Sequence, residues 1–66
     1  MRAESTKKAI TAAYERQIER AYDHLVEAMG TAGDLDADRR AAGERFQRSV
    51  RLAQEAYARA LELIEG

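Results

Sequence analysis

The chain has 66 residues, with 12 acidic against 11 basic side chains and a formal net charge of −1, so it lacks the positive excess of a general nucleic-acid binder. It has no cysteine, which excludes disulfides and thiolate metal sites, and no apolar run approaches the ~20 residues of a membrane span. A chain this short buries only about 60% of its unfolded surface, so the expectation is one small domain over residues 1–66 that is marginal without partners.

The opening stretch, MRAESTKKAI, carries basic residues with no apolar segment after them. It is not read as a secretory signal, and the expected location is cytoplasmic. From about residue 4 to residue 29 the apolar side chains follow a helical period. Ile10, Tyr14, Ile18, Ala21, Leu25 and Ala28 are spaced four, four, three, four and three, and Tyr22 and Met29 widen the stripe. Gly30 is the expected stop, because glycine enters the left-handed conformation that closes a helix without steric cost. A turn over residues 30–35 then leads to a second helix over about 36–65, with Asp34 or Asp36 expected to cap it.

The second periodic segment is Phe46, Val50, Ala53, Tyr57, Ala60 and Ile64, spaced four, three, four, three and four, as in a coiled-coil seam. Ala42, Ser49, Ala56 and Leu63 line one shoulder and Leu61 the other, so the apolar face is wider than one neighbour needs. Gly43 falls on the seam and is expected to admit close approach of another helix. Both helices alternate large and small residues along the seam, which lets facing helices interdigitate. Opposite charges four apart, Glu4–Lys8, Arg40–Glu44, Glu44–Arg48, Arg51–Glu55 and Glu55–Arg59, are expected to support the exposed faces. Val26 and Leu52 lie off the stripes and read as ordinary exposed apolar residues.

A short connection makes antiparallel neighbours, so the fold class is all-α: an antiparallel hairpin of two long helices. One contact strip between two helices rarely offsets the entropy of ordering a chain of this length. Pairing of two hairpins into a dimeric four-helix bundle is therefore expected, with Ile10, Tyr14, Ile18, Ala21, Leu25, Phe46, Val50, Ala53, Tyr57, Ala60 and Ile64 as core and interface.

Asp34, Asp36 and Asp38 alternate as at the start of a calcium loop, which needs glycine at its sixth position and glutamate at its twelfth. Those places hold Arg39 and Arg45, so the segment reads as an acidic helix start. His24 is the one histidine, and the residue three before it is Ala21 rather than the glutamate of a di-iron bundle motif. With Glu27 it supplies too few ligands for a metal, and no cofactor is expected. Ser5 and Ser49 have no recognisable base nearby, GTAG lacks the lysine of a phosphate loop, and Tyr14, Tyr22 and Tyr57 sit on apolar faces. The chain is not read as an enzyme. Arg45, Arg48 and Arg51, three apart on helix 2, form a drifting basic ridge that fits RNA, DNA or an acidic protein surface, against the reading of a solvated face neutralised by Glu44 and Glu55.

The turn LDAD, Leu35 to Asp38, resembles the inter-helix turn of the plasmid repressor-of-primer (Rop) family, and the large-and-small layering is similar too. The resemblance covers four residues and the architecture. It implies a helical hairpin that dimerises into a four-helix bundle and binds paired RNA stem-loops. The basic, aromatic RNA-contacting face of that family's first helix has no recognisable counterpart here, so no binding residue is carried over. The sequence reading favours a non-enzymatic protein whose partners are a second copy of itself and another protein, acting as an adaptor, assembly factor or regulator. Nucleic-acid binding through the arginine ridge is the alternative, and no membrane partner is expected.

Overall fold

The computed structural model describes residues 2–65 as two α-helices, α1 (Arg2–Ala32) and α2 (Asp36–Glu65), packed side by side. Pairing of Tyr14 with Tyr57 near mid-hairpin, and of Lys7 with Glu65 at the open end, makes the helices antiparallel. The Cα envelope is 50 × 16 × 6 Å and the radius of gyration 15.3 Å, against about 11 Å for a globular chain of this length. The molecule is a long, flat slab with two broad faces.

α1 does not stop at Gly30. It continues through Gly30 and Thr31 to Ala32, and the closing residue is Gly33, whose φ of 59° is the left-handed conformation. The Gly33 amide donates to the Met29 carbonyl at 3.1 Å, and the Leu35 amide to the Ala32 carbonyl at 3.1 Å. The extra residues bury Ala32 to 6% exposure, which one turn less would leave in solvent. The turn shrinks to Gly33, Asp34 and Leu35.

The start of α2 also differs from the capping expectation. The Leu35 carbonyl accepts the first helical bond, from the Arg39 amide at 3.0 Å, which puts Leu35 at the cap position. Asp36 and Asp38 fall in the first turn, where their charge complements the helix dipole. Among the described residues, no side-chain hydrogen bond joins Asp34 or Asp36 to a backbone amide. Arg39 locks the corner instead. Its amide holds Leu35, and its Nη1 donates to the Gly33 carbonyl at 2.8 Å. The arginine that spoils the calcium-loop pattern thus has a structural role.

The helix–helix seam is built from small residues. Ala21, Ala32 and Ala42 are buried, and they are the only buried apolar side chains among the described residues. Alanine permits close axes at the corner half of the hairpin. Toward the open end the Tyr14 and Tyr57 rings stack with centroids 4.6 Å apart and planes 22° from parallel. Thr11 Oγ1 and the Tyr57 hydroxyl share a hydrogen bond of 2.9 Å across the seam. A methyl group placed on Gly43 would meet nothing within 4 Å, so the close approach expected there does not occur inside the hairpin.

Candidate interaction surface

At about 3.6 residues per turn, the two helices divide their side chains between the two faces of the slab. One face is a groove. Near the open end Ala13 and Gln17 of α1 and Ala56 and Ala60 of α2 flank a depression of about 220 Å³ floored by Tyr14 and Tyr57. Nearer the corner it continues between His24 and Ala28 on α1 and Arg45 and Ser49 on α2. Its lining mixes small residues with Ile10, Leu25 and Phe46. The same helical repeat brings Arg20 toward this side, together with Leu63.

By the same repeat the other face carries Ile18 and Met29 of α1 and Val50 and Leu61 of α2, all only half-buried, while Leu25 and Phe46 lie at the seam and also line the groove. Tyr22 extends this face outward and is 59% exposed. Along its central stretch the flanking residues of α2 are Gln47 and Gln54, with Arg51 further around the helix.

The residues singled out in the sequence sort as follows. Ala21 is buried; Ile10, Tyr14, Ile18, Leu25, Phe46, Val50, Ala53, Tyr57, Ala60 and Ile64 are half-buried. Arg45, Arg48 and Arg51 are exposed. The ridge drifts around α2, from the groove edge at Arg45 over the outward back at Arg48 toward the opposite side at Arg51. Val26 and Leu52 are 51% and 59% exposed.

The ion pairs differ from the four-apart ladder. Among the described residues the pairs are Lys7–Glu65 at 3.7 Å, which joins the two free ends, and Arg59–Glu62 at 3.2 Å, three apart. Arg59 turns to Glu62 rather than to Glu55. Long exposed side chains gain little from pairing and lose rotamer freedom, so the ladder stays open. Arg45, Arg48 and Arg51 have no carboxylate within bridging distance among the described residues.

His24 and Glu27 lie at the corner end of the groove with Thr31, Asp38 and Arg45. Among the described residues, no group of three or more His, Asp or Glu side chains converges as metal ligation requires. No described helix is long and apolar enough to cross a membrane. Comparison of the chain with protein-family models, with curated proteins and with solved structures returns no match.

Proposed function

We propose that the chain is a non-enzymatic helical hairpin that associates with a second copy of itself, as a dimeric four-helix bundle, and acts through protein–protein contacts. An adaptor, assembly or regulatory role in the cytoplasm follows from that reading. The observation that carries it is a hairpin whose only buried apolar side chains, among the described residues, are alanines. Complete burial of a Leu, Ile, Val or Phe contributes roughly 1.5–3 kcal/mol, and no described Leu, Ile, Val or Phe reaches it: each is half-buried or exposed. Sedimentation equilibrium at micromolar concentration tests the reading. The expected mass is about twice the 7.4 kDa of one chain, and a strictly monomeric mass removes the proposal.

A second reading has its own support. Arg45, Arg48 and Arg51 are exposed and unpaired, which leaves three guanidinium groups available to phosphate oxygens. If the bundle binds RNA, gel-shift affinity falls steeply with salt, and Arg45→Gln with Arg48→Gln lowers both affinity and the salt slope, by roughly 0.7 per lost single-strand phosphate contact. An absence of binding at low salt eliminates this reading.

A further inference from the structure

Of the three tyrosines in the chain, two are in contact. Tyr14 of α1 and Tyr57 of α2 stack across the seam with centroids 4.6 Å apart and planes 22° from parallel. A hydrogen bond of 2.9 Å with Thr11 Oγ1 fixes the Tyr57 hydroxyl. We infer that this pair is an oxidative cross-linking site, at which a one-electron oxidant driven by a peroxide joins the two rings and staples the arms of the hairpin together.

Oxidation of this chain by single electrons ends on tyrosine. Cysteine and tryptophan, the other side chains that readily give up one electron, are absent. The two methionines take up an oxygen atom instead, which is a separate reaction. The stacked rings are also within reach of solvent, because both are half-buried and floor a depression of about 220 Å³ that opens outward. Stacking keeps the ortho carbons of each phenol a small movement away from the other ring. Partners held in this way react at effective concentrations far above those of separate molecules. Tyr22 lacks this advantage: it is 59% exposed and stacks on no other ring among the described residues.

Each phenol loses one electron to the oxidant and its hydroxyl proton to water, which gives two phenoxyl radicals. Each radical carries unpaired spin at its ortho ring carbons, and a carbon–carbon bond forms between one such carbon of Tyr14 and one of Tyr57. The hydrogen on each bonded carbon then passes through water to the oxygen of its own ring, and two aromatic phenols are restored. Two electrons and two protons have left in all. The electrons cleave one peroxide bond, turning hydrogen peroxide with two protons into two waters, or persulfate into two sulfates. The new bond closes a loop of roughly 40 residues, which removes freedom from the unfolded chain as a disulfide does.

Illumination of the full chain with a ruthenium(II) tris-bipyridyl complex and persulfate tests the site. The expected main product has the mass of one chain less two hydrogens when read in denaturant, fluoresces blue as a biphenol, and yields tryptic fragments 9–16 and 52–59 joined together. Tyr14→Phe and Tyr57→Phe keep both rings in the stack, so the fold persists while the yield falls at least about tenfold; Tyr22→Phe leaves it unchanged. Unfolding in urea lowers the yield severalfold, because the rings separate. The linked hairpin melts roughly 10 °C or more above the unlinked one. A yield that survives Tyr14→Phe or urea, or chains joined to one another as the main product, overturns the site. An unchanged melting midpoint in the linked protein overturns the staple.

Discussion

Replacing Tyr57 by alanine is expected to lower the unfolding free energy by about 2–3 kcal/mol, while Tyr57→Phe lowers it by only about 0.5–1 kcal/mol. Tyr57 is the largest side chain that α2 places across the seam, and its ring stacks on Tyr14 at 4.6 Å. Truncating a fully buried aromatic costs roughly 3–5 kcal/mol, and the half-burial of Tyr57 in the hairpin scales that down. Loss of the stack itself accounts for about 0.5–1.5 kcal/mol of the effect. The hydroxyl is a separable part, because its only cross-helix partner among the described residues is Thr11 Oγ1 at 2.9 Å. A chain of this length has a total stability of roughly 3–10 kcal/mol, so the alanine variant loses a large share of it and melts more than about 10 °C lower. Urea denaturation at one fixed protein concentration measures both variants, since association makes the midpoint concentration-dependent. A Tyr57→Ala change within about 0.5 kcal/mol of zero would mean that the arms are held together elsewhere.

The helical hairpin was legible because its main determinant is local. The three-and-four spacing of Ile18, Ala21 and Leu25, and of Val50, Ala53 and Tyr57, recurs in the sequence whatever the helices later pack against. The corner was less legible, because two glycines three residues apart are both adequate stops. What selects Gly33 is tertiary: the additional residues bury Ala32 and place the Gly33 carbonyl within reach of the Arg39 guanidinium. The capping aspartates were misjudged for a related reason. Asp34 and Asp36 have the right chemistry, but the left-handed Gly33 and the tight Leu35–Ala32 bond put Leu35 at the cap position between them. The arginine ridge could be counted in the sequence, but its state could not. Glu44 and Glu55 stand four residues from its members, and whether those pairs close depends on rotamer entropy that spacing does not encode. Which side chains line the groove needed the seam direction, which only packing of the two helices defines. A stripe wide enough for two neighbours shows that a second contact is needed but not on which side it lies.

Gly33→Ala is expected to destabilise the protein by about 1–2 kcal/mol, and Gly30→Ala to stabilise it by about 0.5–1 kcal/mol. The added methyl group meets nothing within 4 Å at either position, so packing cannot account for the difference. At Gly33 the backbone sits at φ 59°, where a Cβ crowds the following carbonyl oxygen. At Gly30 the backbone is helical, and alanine mainly removes freedom from the unfolded chain. Gly33→Asn should fall between the two, because asparagine tolerates the left-handed region better than other residues with a Cβ. The opposite signs make this a direct probe of where α1 ends. Had the helix closed at Gly30, alanine there would be the strained substitution and alanine at residue 33 the harmless one. Thermal melts of the three variants at matched concentration separate the two geometries by roughly 5–15 °C between the alanine variants. The strain at Gly33 also opposes the contact that Arg39 makes with its carbonyl, since shifting the backbone to relieve φ moves that oxygen away from Nη1. Arg39→Ala and Gly33→Ala should therefore be less than additive, because each removes part of the same corner.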